Sequence, residues 1–375
     1  MQIKPFGVEI WMNEFETKCN LNLAETCVAS ITLDELVKMS GRGDAVWDDL
    51  KQLRMTYGAI EGKERLRSLI AGLYERQDAS NVVTTHGTIG ANSLIHQTLV
   101  GQGDHVISVI PTYQQHYSIP ESIGADIELL WLRPENGFLP DLAELRTMVR
   151  PDTRLIAINN PNNPTGALMD RAHLEGIAAI AREVGAWVLC DEVYRGTDQQ
   201  GSGYTASMAD LYEQGISTAS LSKAYSLAGL RMGWIAGPRE VIEAVMIQRD
   251  YNTISVGQLD EYFAVMALEN REKIIARSQR ITRENLAIVD AWMSGQPHLS
   301  WVRPTSGTTA LLKYDLPMSS REFCVKLLEE EGVMLTPGSA MDMEGWLRLG
   351  YTNPTEDLRA GLQRLSAFIA RHAAA

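Results

Sequence analysis

The chain has 375 residues, 45% of them hydrophobic, and a formal net charge of −13. That supplies a large core and predicts about two to three domains, while an acidic chain without a basic run is a poor partner for nucleic acid or an anionic membrane. No apolar run approaches a membrane span, the N-terminus has no signal-peptide hydrophobic region, and Cys19, Cys27, Cys190 and Cys324 show no metal-ligand spacing. Composition therefore predicts a soluble cytoplasmic enzyme with no metal site.

In chain order, Trp11, Phe15 and residues 21–23 predict an extended arm carrying Glu14, Glu16 and Glu25, the first two read as solvated. Thr32 and Glu35 form a capping box that opens a short helix. Gly58 and Gly62 interrupt the chain before an amphipathic helix with Leu66, Leu69, Ile70 and Leu73 on one face. Strands are predicted over 81–85, 105–110, 127–132, 155–159, 187–190 and 217–220, alternating with helices, the first of which spans 92–100. This alternation indicates a mostly parallel sheet with helices on both faces. Residues 258–293 contain neither Pro nor Gly and predict one long helix. Beyond it, strands at 311–314 and 346–349 and helices at 320–331 and 355–373 predict a smaller α+β domain. The expected division is 1–44 as an N-terminal arm belonging to the small domain, 45–285 as the large domain and 286–375 as the small C-terminal domain.

Each chemically suggestive residue follows the carboxyl end of a strand, where open α/β sheets bind ligands. In Ser220-Leu-Ser222-Lys223, no charge lies between the lysine and Arg231. Desolvation and a nearby cation would lower the lysine pKa and leave a neutral amine able to attack a carbonyl. Ser220, Ser222 and Arg231 suit a phosphate. So does Gly87-Thr88-Ile89-Gly90 at a helix N-terminus, although a plain strand-to-helix turn reads the same way. Tyr113 could stack on a flat ring or pack at the surface. Asn160-Pro-Asn-Asn163-Pro-Thr-Gly166 fixes a rigid turn from which Asn163 can donate to a phenolate oxygen. Asp191, behind four apolar residues, requires a cationic partner such as a protonated pyridine nitrogen; the alternative is a helix cap. Tyr194 lies three residues on. Arg348, within an apolar strand, suits a carboxylate, or else sits at a strand edge. Each plain alternative is credible singly; their joint occurrence in this order is not.

On Asn160-Pro-Asn-Asn-Pro-Thr-Gly166, Asp191-Glu-Val-Tyr194 and Ser220-Leu-Ser-Lys223 with Arg231, the chain resembles the class I/II aminotransferases of PLP fold type I, the aspartate-aminotransferase superfamily. The resemblance implies a large domain with a mostly parallel, seven-stranded-type sheet between helices, plus a smaller α+β domain. It implies pyridoxal 5'-phosphate (PLP), held as a Schiff base by Lys223, with Asp191 on the pyridinium nitrogen and Asn163 and Tyr194 on the ring oxygen. Tyr113 would stack on the ring, with Gly87, Thr88, Ile89, Ser220, Ser222 and Arg231 at the phosphate. Tyr57 resembles the tyrosine that reaches the neighbouring subunit's phosphate, which implies a homodimer with shared sites. Arg348 resembles the arginine that holds the substrate's α-carboxylate. The implied activity moves an amino group from an α-amino acid to a 2-oxo acid.

Two departures bear on substrate. Many relatives place a glycine near the substrate where this chain reads Leu23-Ala-Glu25-Thr26, which makes Glu25 a candidate substrate-binding residue. No second arginine stands ready for a dicarboxylic donor. In addition, Leu132-Arg-Pro-Glu-Asn-Gly-Phe138 and Arg249-Asp-Tyr251 faintly resemble the capreomycidine synthase branch, whose members act on guanidino amino acids. That implies an alternative: a PLP-dependent lyase, cyclase or oxidase of an amino acid on the same fold.

Overall fold

The computed structural model describes residues 2–373. Its first element is a helix, Gly7–Phe15 (α1), in place of the predicted extended arm. Val8, Trp11, Met12 and Phe15 recur at helical spacing. Trp11 is buried, its indole N–H donates to Leu335 O at 2.9 Å, and its ring lies 4.3 Å from that of Phe15. Burying this stripe, rather than local propensity, makes so short a helix stable. Extended pairing follows only at Leu21–Asn22 (β1), parallel to Val333–Met334. The capping box of Thr32 and Glu35 is formed and starts the helix Leu33–Ser40, a contribution of about 1 kcal/mol. Leu36 and Val37 of that helix pack with Leu66, Ile70 and Phe263, so this stretch joins the helices of the large sheet.

That sheet has seven strands: Val82–His86 (β2), His105–Ile110 (β3), Asp126–Trp131 (β4), Thr153–Asn159 (β5), Trp187–Asp191 (β6), Gly215–Ser220 (β7) and Met232–Ala236 (β8). Their order is β2-β8-β7-β6-β5-β3-β4. All run parallel except β8, which is antiparallel to both its neighbours. The expected mostly parallel sheet is present, and β8 is the strand the sequence reading lacked. Side chains alternate between two cores. Ile156, Ile158, Val188 and Cys190 enter one, while Leu155, Trp187 and Leu189 enter the other. Burial on both faces explains why these strands read as continuous apolar runs. Because β2, β3, β5, β6 and β7 share one direction, their following loops collect at one edge.

Residues 258–293 form two helices, Gln258–Glu269 and Arg271–Met293, rather than one. The break falls at Asn270, whose side-chain amide donates to Met266 O at 3.0 Å. An Asn that bonds the backbone competes with the helical ladder without help from Pro or Gly. Beyond lie Leu299–Trp301 (β9), Thr309–Tyr314 (β10), Val333–Met334 (β11), Thr336–Pro337 (β12) and Trp346–Gly350 (β13). Four of these make an antiparallel sheet, β12-β13-β10-β9. Phe323, Leu347 and Phe368 form its core together with Trp11 and Leu23, so the first segment of the chain and the last share one interior. Among the described residues no helix is long and apolar enough to cross a membrane, and no His, Cys, Asp or Glu cluster could hold a metal ion.

Candidate active site

A cleft of about 330 Å³ opens where the carboxyl ends of the parallel strands face α1 and the turn at residues 24–26. Lys223, on the loop after β7, donates from Nζ to Thr26 Oγ1 at 2.5 Å and lies 3.4 Å from Cys27 Sγ. Burial pulls its pKa down, but Cys27, Tyr194 and Glu25 outweigh burial and carry it above the ordinary lysine value. The expected lowering is therefore overturned for the polypeptide itself. Arg231, the one cation the local sequence offers, turns its guanidinium to Ala228 O at 2.9 Å. The first of the groups that decide the charge, Cys27, comes from 196 residues earlier in the chain. In return, Glu25 resists the upward pull of its burial. Lys223 and the N–H groups of Thr26 and Cys27, at 2.7 and 2.9 Å from Oε1, hold its carboxyl below the usual value.

Asp191, buried at the end of β6, accepts from Asn92 Nδ2 at 2.8 Å and from the Val193 N–H at 3.1 Å. His116 Nε2 lies 3.6 Å away, and Thr218 donates to Asn92 Oδ1 at 2.6 Å. Asn92 and His116 escaped the sequence reading. Arg348 is 3% exposed. It donates to Asn163 Oδ1 at 3.4 Å and to Ala24 O and Thr336 Oγ1 at 3.1 Å, and its Nε has no partner. A buried guanidinium with a spare N–H is a receptor for an anion. Tyr194 is buried alongside. Burial raises its phenol pKa, and Lys223 and Arg348 draw it back down.

The opposite end of the cleft is shaped by Gly87 and Arg231. Gly87 has φ 67°, and a Cβ there would stand 2.7 Å from Arg231 Nη2, so this approach requires glycine. Arg231 itself adopts φ 47°, a left-handed conformation costing about 1–2 kcal/mol. The helix behind this turn spans Gly87–Leu99 and so begins earlier than predicted, with Thr88 and Ile89 in its first turn. Its free N–H groups, the buried and unpartnered Thr88 Oγ1, Ser220, Ser222 and Arg231 together suit a phosphate.

Tyr113 lines the cleft with Phe6 packed on it at 4.7 Å, and its hydroxyl donates to Glu9 Oε1 at 2.7 Å. Glu9, Asn13 and Glu16 also line the cleft; Glu9 and Asn13 carry no signal in the sequence, where the arm reads as extended. Glu14 is a surface residue paired with Arg321 at 3.0 Å; Glu16 is exposed, as expected, and also lines the cleft. Tyr57 is 74% exposed and lies outside the cleft of its own chain.

An anion cradle at one end, a buried carboxylate at the sheet, a lysine amine between them and an arginine with a spare N–H fit PLP and an amino acid. Residues 23–365 match the family model for aminotransferase class I and II. The chain belongs to this family. This aminotransferase-fold protein is a PLP-dependent enzyme, and its cofactor is pyridoxal 5'-phosphate. It is similar to a PLP-dependent aminotransferase from Streptococcus suis 89-1591, with a TM-score of 0.96 and 41% identity over 99% of each chain. It is also similar to the PLP-dependent cyclase OrfR, with a TM-score of 0.91 and 28% identity over 99% of this chain and 98% of that one. Capreomycidine synthase of Streptomyces vinaceus is 30% identical over 370 residues, 98% of this chain and 94% of its own.

Proposed function

We propose that this class I/II aminotransferase-family enzyme moves an amino group from an α-amino acid to a 2-oxo acid. PLP, when bound, supplies the electron sink for the charge left as an amino acid loses its α-proton. The protein's own groups do the rest. Asp191 would hold the proton on the ring nitrogen, and Asn92 and the Val193 N–H fix that carboxylate. Asn163 and Tyr194 bind the ring oxygen, and Tyr113 lies against the ring. Thr88, Ile89, Ser220, Ser222 and Arg231 hold the phosphate, with Tyr57 arriving from a second copy in a homodimer. Arg348 fixes the α-carboxylate so that the Cα–H bond is aligned for removal. Lys223 Nζ takes that proton and returns it.

The observation that carries this reading is one cleft shared by Lys223, Asp191 and Arg348, which come from three separate segments. The dimer reading is supported by the exposed apolar side chains of Met55, Tyr57, Ile60, Ile247, Tyr251 and Leu259. A second reading, a lyase, cyclase or oxidase of an amino acid, is favoured by the likeness to capreomycidine synthase and to the cyclase OrfR. Product analysis separates them. Holoenzyme given a donor and no acceptor should release one 2-oxo acid per site and no ammonia; continuous ammonia release or a cyclised product supports the second reading instead.

A further inference from the structure

The charges lining the cleft do not balance once the groups assigned above are accounted for. Its cations are Lys223, Arg231 and Arg348; its carboxylates are Glu9, Glu16, Glu25 and Asp191. Arg231 stands at the phosphate end, Asp191 at the sheet, and Lys223 faces Glu25. Arg348 reserves its unpartnered Nε for a carboxylate. Glu9 accepts from a neutral phenol, Tyr113. Among the described residues no cation pairs with Glu16, and burial together with Glu25 and Glu9 raises its carboxyl pKa. Glu9 lies on α1, and Glu16, seven residues on, is the helical-conformation cap directly after it, so the two fall on the same side, about 10 Å apart along the axis. Met12, between them on that face, also lines the cleft and supplies an apolar surface.

One wall thus offers a buried guanidinium with a free N–H, and the wall formed by α1 and the Glu25 turn offers carboxylates around a methionine. We propose that the cleft takes an α-amino acid whose side chain is an aliphatic stem ending in a cation, an ammonium or a guanidinium, gripped by Glu16 and Glu9 with Glu25 behind them. This rests on reading the cleft as an α-amino acid site, and it names the class of side chain. An acidic side chain meets like charge, and a neutral one leaves the carboxylates unpaired.

The test uses carboxylates without an α-amine, which bind and cannot react: 5-guanidinopentanoate, 6-aminohexanoate, hexanoate and adipate. Titration calorimetry on the holoenzyme should show one or both cationic probes binding at least about tenfold tighter than hexanoate, with adipate weakest. The tighter of the two cations identifies guanidinium or ammonium. Glu16→Gln should cut the preference to within about threefold while hexanoate binding is unchanged, and Glu16→Lys should reverse it in favour of adipate. Both changes are at an exposed position, and an unaltered melting temperature certifies the fold. Equal binding of hexanoate or adipate, no binding of any probe, or a preference that survives both variants overturns the proposal. Cation preference in an enzyme that liberates ammonia would leave this inference standing and remove the aminotransferase reading; stoichiometric 2-oxo acid release with glutamate preferred would do the opposite.

Discussion

Lys223 Nζ donates to Thr26 Oγ1 at 2.5 Å, although the two residues are 197 positions apart. The contact ties the reactive amine to a turn whose Glu25 carboxylate faces it. An ammonium held above the ordinary lysine pKa is not nucleophilic at neutral pH, so the polypeptide alone keeps Lys223 protonated. In cofactor-free protein, labelling of Lys223 by an amine-directed reagent should begin only above about pH 10. Glu25→Gln removes an anion that favours the protonated form, so its labelling profile should move to lower pH. An unmoved profile, or one displaced upward, would show that Glu25 does not govern the amine.

Lys223→Ala should abolish turnover while the fold persists. Borohydride reduction of the wild-type holoenzyme followed by peptide mapping should place the label on the segment from Ser220 to Arg231. Label on any other lysine refutes the assignment.

Asp191→Asn should fold, because the amide has the same shape and its remaining oxygen can still accept from the Val193 N–H, and should lose about 10²–10⁴-fold in kcat through the missing counter-charge. Stopped-flow half-reactions measure this, and calorimetry confirms the fold. Turnover like that of wild type would mean that another group keeps the ring nitrogen protonated.

Tyr57, exposed on its own chain, should matter only between copies. Tyr57→Phe should weaken PLP affinity about tenfold, the loss of one hydrogen bond to a charged group, and the wild type should sediment as a dimer. An active monomer with unchanged PLP affinity in the variant would exclude a shared site.

Asp198 sits between the two sheets, where it accepts from Ser306 Oγ at 2.8 Å, and burial pushes its carboxyl up to about 6. Because the folded pKa exceeds the unfolded one, the native state binds more protons between pH 4 and 6, so this group's contribution to stability falls as pH rises through that window. Asp198→Asn removes the penalty and keeps an acceptor for Ser306. It should be more stable than wild type by about 2 kcal/mol at pH 8 and nearly equal to it at pH 4. Chemical denaturation at both values tests this, and a gain at pH 4 alone would contradict the sign.

The sheet and most of its strand ends were legible because burial on both faces writes continuous apolar runs, and because chemistry-bearing residues follow them directly. Asp191, Tyr194, Asn163, Lys223, Arg348 and Glu25 do share a cleft. What stayed hidden depends on contacts across long sequence distances. The charge of Lys223 is set by Cys27, Tyr194 and Glu25, not by its neighbour Arg231. Asn92 bonds Asp191 from 99 residues earlier in the chain, and His116 stands 3.6 Å from it on another helix. The helix α1 was misread because its spacing of Val8, Trp11 and Phe15 fits few turns, and its partner, Leu335, lies at the far end of the chain. The break at Asn270 has no Pro or Gly to announce it.

The attachment of α1 has a consequence for how this enzyme could be altered. The helix is fastened at its start and by one ring: the Gly7 N–H donates to Gln114 Oε1, and Trp11 donates to Leu335 O. Around those fastenings Glu9, Met12, Asn13 and Glu16 face the cleft, while the residues proposed to hold the cofactor, apart from Tyr113, touch none of them through a hydrogen bond. On the proposal above, side-chain preference and cofactor binding would fall on separable stretches of the chain. Grafting residues 9–16 from a relative, with Gly7 and Trp11 kept, should exchange one without disturbing the other, and a short randomised library over residues 9–16 is the place to seek new donors.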